Sequence, residues 1–176
     1  MNNPEGFRPR CLCLDIETSV GPDLHINKIG GWRADSGESV HFQGRFAEAE
    51  ARERLDWLAA GAAFVLGHNI AGHDLPLLEK LYLGLGLLGL PVIDTLWLSP
   101  LAFPQNPYHS LIKDYKLVKD SRNDPLQDAR LSFRLFCGEI DSFRHRLAVM
   151  VKHGERLLQF VSWCLIHRLK LLTSRS

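Results

Sequence analysis

Residues 11–18, Cys11-Leu-Cys-Leu-Asp-Ile-Glu-Thr18, form a short apolar run that turns polar at its end. That pattern predicts a buried strand whose last positions reach a site. Residues 26–32 and 39–43 predict two more strands. Asp35, Ser36 and Gly37 between them have tight-turn chemistry, so the pair reads as a hairpin. Residues 47–60 set Leu55, Trp57 and Leu58 on an Ala- and Glu-rich background, a helical pattern that Gly61 stops. A strand at 63–66, a helix at 75–83 and a strand at 91–98 follow. After Asp124 a helix runs to about Phe136, and residues 143–172 read as one or two further helices. These are apolar on more than one side, as Phe160, Val161, Trp163, Leu165 and Ile166 show, which predicts that they dock on something. Three consecutive strands followed by alternating strands and helices indicate an α/β fold with a mixed sheet and helices packed against it.

Composition adds bounds to this picture. A chain of 176 residues with 45% apolar residues accommodates one domain plus an appendage. Cys11, Cys13, Cys137 and Cys164 have neither metal-site spacing nor the density of a secreted disulfide scaffold, so a reducing, cytoplasmic setting is expected. Residues 1–10 lack the apolar core of a signal peptide. The apolar stretch 81–101 is interrupted by Gly84, Gly86, Gly89, Pro91 and Asp94, which argues against a membrane helix. Charge is divided unevenly: residues 1–141 hold 14 Lys or Arg against 19 Asp or Glu, and residues 142–176 hold seven against one. The body is acidic and the tail basic. Carboxylates gathered round bound cations would let such a body accept nucleic acid, because the metals invert the local field.

Three segments carry candidate chemistry. Asp15 and Glu17 are two apart on a predicted strand and so point the same way. A solvated strand end explains such a pair, and so does a hard cation such as Mg²⁺ or Mn²⁺ that relieves their repulsion. In Leu66-Gly-His-Asn-Ile-Ala-Gly-His-Asp-Leu-Pro-Leu-Leu78 a strand runs into a helix, with Asp74 at the junction and Pro76 in the first turn. Asp74 reads there as an N-cap or as a ligand, and His68 and Asn69 as loop polarity or as site residues. In Arg122-Asn-Asp-Pro-Leu-Gln-Asp-Ala-Arg130, Asp124 is a structural N-cap followed by a first-turn proline. Asp128, one turn inside, is expected to share a face with Leu131 and Leu135, opposite Leu126, Ala129, Phe133 and Phe136. A buried carboxylate there needs a partner.

In order and approximate separation, Leu14-Asp-Ile-Glu-Thr18, Gly67-His-Asn-Ile-Ala-Gly-His-Asp-Leu-Pro76 and Asn123-Asp-Pro-Leu-Gln-Asp-Ala129 resemble the three motifs of the DnaQ-like DEDD exonuclease superfamily. The body is also similar to exonuclease-like domains at the N-termini of some bacterial RecQ-type helicases. The resemblance implies a ribonuclease H-like fold, a five-stranded mixed sheet flanked by helices, over residues 1–138, with a basic helical extension at 139–176. It implies two Mg²⁺ or Mn²⁺ ions, Asp15 bridging both and Glu17, Asp74 and Asp128 completing the coordination, for 3′ to 5′ hydrolysis of single-stranded DNA or RNA ends, DNA preferred. Thr18 and Asn69 are expected to contact the terminal nucleotide. The alternative function is a catalytically impaired nucleic-acid-binding or partner-docking module.

The pattern is broken at the general base. Relatives have a histidine five residues before the last aspartate or a tyrosine four before it, where this chain has Asn123 and Asp124. Asparagine orients a water through its carbonyl but accepts no proton near neutral pH, so Asn123 is the catalytic position in doubt. His73 stands where an aromatic residue is usual. Tyr108 with Lys113, Lys116 and Lys119 has the spacing of a phosphate-tracking groove with base stacking, or of a solvated helix face. Expected partners are nucleic-acid 3′ ends, a helicase as neighbour or fusion, and a second copy of the chain, with no membrane.

Overall fold

The computed structural model describes residues 7–19, 24–106 and 124–173, and the side chains of the last helix through residue 159. The chain divides into two units, Met1–Glu139 and Ile140–Ser176. The first is α/β. Its five strands are β1 (Cys11–Thr18), β2 (Ile26–Arg33), β3 (Ser39–Gln43), β4 (Phe64–Gly67) and β5 (Val92–Asp94), in the order β3-β2-β1-β4-β5. β3, β2 and β1 pair antiparallel, whereas β1, β4 and β5 are parallel, so β1 is the central strand of a mixed sheet. The described residues contain four α-helices: α1 (Glu48–Ala59), α2 (Asp74–Leu81), α3 (Thr95–Ala102) and α4 (Pro125–Thr173).

Alternation along β1 sorts the two faces. Leu12, Leu14 and Ile16 join Ile29, Val40, Leu55, Leu58 and Leu78 in the main core cluster, which α1 covers. The odd-numbered residues face α4, where Phe133 meets Trp32 edge-on at 5.3 Å between ring centroids and Phe136 lies 6.2 Å from Phe64. Buried on this side are Cys11, Cys13, Ala129, Phe133, Phe136 and Cys137. The hairpin and α1 form where the polar pattern placed them. Arg33 is anchored at the hairpin by Asp35 at 2.8 Å and donates to the carbonyls of Leu58 and Ala60, while Gly61 takes a φ of 74° just past α1.

Two expectations from the sequence need correction. The strand expected over 91–98 is only Val92–Asp94, and its second half is α3. Asp94 accepts from the Leu96 N–H at 2.9 Å, which caps the helix, and burial of Thr95, Ser99 and Ala102 follows helical spacing. The interrupted helices expected after Asp124 are one helix. Between Leu126 and Thr173 there is no proline, and isolated glycines at 138 and 154 cost about 1 kcal/mol each, too little to stop it. No helix among the described residues is long and apolar enough to cross a membrane. In the second unit Leu147, Met150, Leu157 and Leu158 are exposed.

Candidate functional site

Asp15 and Glu17 project from the end of β1 toward the first turn of α4, where Asp128 is buried. One carboxylate oxygen from each of Asp15, Glu17 and Asp128 lies within 4.8 Å of the other two. A glycine makes this convergence possible. Gly30 is the cross-strand partner of Asp15, and a Cβ at Gly30 would collide with the backbone of Pro125 and Leu126. The first turn of α4 therefore rests directly on β2 beside Asp15. Asp124 holds that turn from its start, accepting from the Leu126 N–H at 3.0 Å and standing 3.8 Å from His41 Nε2 on β3. Its reading as an N-cap is what the structure shows. Asp128, by contrast, lies on the buried face with Ala129, Ser132, Phe133 and Phe136, while Leu131 and Leu135 are half-buried. Sheet contact on one side, rather than apolar contact on two, buries it.

Asp74 is close to this group without belonging to it. It is the first residue of α2 and makes no cap there. Instead its Oδ1 accepts from the backbone N–H of Ile16 at 2.8 Å, which ties the start of α2 to β1 between Asp15 and Glu17. The N-cap reading fails because the cap position falls on His73, one residue earlier, while the Asp74 carboxylate turns to the Ile16 N–H. Burial pushes the Asp74 carboxyl up to about 7, with smaller contributions from the charges of Asp94 and Glu17, against the lowering effect of the Ile16 N–H. His73 Nδ1 is 3.8 Å from Asp74 Oδ2 and half exposed.

Asp94, which the sequence offered only as an interruption of an apolar run, organises the loop before α2. Besides capping α3, it accepts from the N–H groups of Asn69 at 2.8 Å and Ala71 at 3.0 Å. These bonds hold Asn69 at a φ of 64°, and Gly72 is free of a Cβ where the Asn69 side-chain carbonyl stands. Asn69 is thus presented to solvent on a fixed loop, and His68 is held by Thr95 Oγ1 at 2.9 Å. Thr18 is half-buried at a register shift between β1 and β2. Asn123, Tyr108, Lys113, Lys116 and Lys119 lie outside the described residues.

Glu139 was also missed, because the helix was expected to end before it. It follows Asp128 by eleven residues and Ser132 by seven, which puts it on the same helical face. It is fully buried, accepts from Ser99 Oγ at 2.6 Å, and its Oε2 has no hydrogen-bond partner among the described residues. Burial raises its carboxyl from 4.5 to about 7, helped by Asp94 and opposed by Ser99. A raised acid favours the fold below its unfolded value and loses that contribution as pH climbs through the folded value. The loss therefore falls between about pH 4.5 and 7, and the full shift corresponds to roughly 3 kcal/mol. Glu139→Gln is expected to match the parent's stability at about pH 4 and exceed it at about pH 8 in denaturant titrations. Equal stability at pH 8 would refute this assignment.

No family model matches the chain, and no curated protein matches it significantly. What the arrangement itself offers is a hard, all-oxygen donor set. Asp15, Glu17 and Asp128 could hold a divalent cation of the Mg²⁺ or Mn²⁺ type, which favours carboxylate oxygens.

Proposed function

We propose that the first unit is a metal-dependent 3′ to 5′ exonuclease of the ribonuclease H-like, DnaQ-related class, acting on single-stranded ends with DNA preferred. The convergence of Asp15, Glu17 and Asp128 from β1 and the distant α4 carries this reading. The strand order β3-β2-β1-β4-β5, with Asp15 and Glu17 on the central strand, supports it. So does the order of the three motifs along the chain. Bound Mg²⁺ or Mn²⁺, two ions in this reading, would activate water and offset charge on the phosphodiester. The chain's own residues do the rest. Asp15, Glu17 and Asp128 bind the cations, with Asp74, which locks the start of α2 to β1, as the proposed fourth ligand. Asn69 and Thr18 meet the terminal nucleotide, His73 lines its approach, and Asn123 orients the attacking water through its side-chain carbonyl. Tyr108, Lys113 and Lys116 guide the strand.

The test is incubation of end-labelled single-stranded DNA and RNA with Mg²⁺ or Mn²⁺. Stepwise shortening from the 3′ end is expected, faster on DNA. Intact substrates with both ions at stoichiometric protein would sink the proposal. One observation favours the second reading, an impaired nucleic-acid-binding or partner-docking module: asparagine occupies the position of the usual base. Asn123→His is accordingly expected to raise the cleavage rate severalfold, because imidazole titrates near neutral pH. An unchanged rate with cation binding retained would remove the missing-base explanation. Cys11, Cys13 and Cys137 are buried and form no disulfide among the described residues, which fits a reducing, cytoplasmic setting. The exposed apolar residues of the basic second unit support docking to a helicase or to a second copy.

A further inference from the structure

A cavity of about 280 Å³ opens at the end of the sheet where β1 finishes. Its apolar wall is Ile26, Phe46, Leu81 and Tyr82, all from the core cluster or packed against it. Two groups that can carry positive charge, Arg45 and His25, stand at the same cavity and are exposed. In a body with more acidic than basic residues, aromatic surface beside local cations is the combination that selects a planar, anionic ligand. Glu48 also lines the cavity, but it lies 3.7 Å from Arg52, which offsets its charge toward a phosphate. Its carboxylate remains an acceptor for an exocyclic amino group of a base.

The position matters as much as the lining. Ser19 donates its N–H to the His25 carbonyl at 2.9 Å, and Ser19 Oγ accepts from the His25 N–H at 3.1 Å. The cavity wall is therefore fastened to β1 two residues beyond Glu17, about 7 Å along an extended chain. Its lining belongs to the core on the Leu14 and Ile16 face, so a strand reaches it from the carboxylates by rounding the end of the sheet. Across the hairpin, Gly44 donates to the Asn27 carbonyl at 2.9 Å with a φ of 81°, which turns the chain so that Arg45 and Phe46 reach the same opening. We infer that this cavity is a nucleotide subsite, holding the base against Phe46, Leu81 and Tyr82 and the phosphate with Arg45 and His25. Resting on the exonuclease reading, it takes a nucleotide of the strand whose end lies at the carboxylates.

The experiment is a titration of the full chain with 2′-deoxyadenosine 5′-monophosphate in EDTA, followed through amide resonances. Without cations the carboxylates repel a phosphate, so the cavity is read alone. Shifts are expected at Gly44, Arg45, Leu81 and Tyr82 and not at Asp15, Glu17 or Asp128. Arg45→Glu should weaken binding at least about tenfold by reversing an exposed charge, and deoxyadenosine without phosphate should bind more weakly than the monophosphate. Absence of shifts at the cavity, shifts only at the carboxylates, or binding indifferent to Arg45→Glu would each overturn the subsite. Binding here by a chain that degrades no strand overturns the exonuclease reading and keeps the nucleotide pocket. Cleavage without binding here does the reverse. In cleavage assays Arg45→Glu is expected to raise KM for oligonucleotides and leave kcat in place.

Discussion

Asp15→Ala is expected to lower cleavage by about 10³-fold or more, the scale seen when a preorganised electrostatic contact to a developing charge is lost. Asp15 has a carboxylate oxygen within 4.8 Å of those of Glu17 and Asp128. It shares β1 with Glu17, reaches Asp128 on α4 and pairs across the sheet with Gly30, on which α4 rests. Removing it would take away one of the three carboxylates proposed to hold the cation. The same substitution should have the opposite effect on stability in EDTA. Three carboxylates with oxygens within 4.8 Å repel, each pair by about 1 to 3 kcal/mol at the effective dielectric of a partly exposed site. Asp15→Ala is thus expected to melt higher than the parent in EDTA and to lose the upward shift that Mg²⁺ or Mn²⁺ gives the parent. Asn123→Ala should leave both the shift and much of the cleavage. A parent chain whose melting ignores both ions, or an Asp15→Ala chain that still cleaves, would show that these carboxylates are a surface cluster.

Gly30→Ala should damage the site from a residue with no chemistry of its own. The added methyl meets the backbone of Pro125 and Leu126, and backbone cannot rotate away as a side chain can. The first turn of α4 must lift, carrying Asp128 from Asp15 and loosening the contact of Phe133 with Trp32. Overpacking of a close-packed contact costs about 1 to 3 kcal/mol, and a rigid obstacle belongs at the upper end. Gly31→Ala is the matched control on the next position. Its methyl points to the opposite face, where it crowds Leu58 Cδ2 at 2.8 Å, the far end of a flexible side chain, and reaches Leu12 and Leu14 at ordinary contact distance. Urea titrations should show the larger loss for Gly30→Ala, and Mn²⁺ binding should fall in that variant and survive in Gly31→Ala. Equal effects would mean that α4 has freedom to shift over β2 and that Gly30 does not set the site.

Features whose physics is local were legible in the order of residues. Alternation placed Asp15 and Glu17 on one face of β1. Turn chemistry placed the hairpin, Gly61 ended α1, and Asp124 with Pro125 began α4. Even there, a short apolar run did not distinguish strand from helix, so residues 95–98 were assigned to the wrong element. Which carboxylates meet was decided only by tertiary structure. Asp74 has the local appearance of a cap, yet its acceptor is spent on the Ile16 N–H, 58 residues away. Asp94 looked like an interruption and binds a loop 25 residues upstream. Gly30 carries no local signal, because its role is the absence of an atom at the spot where α4 arrives. A periodic pattern records which face of an element is buried. It does not record what the other wall is made of, and that wall supplies the hydrogen-bond donors, the excluded volume and the low dielectric that set the chemistry of these acids.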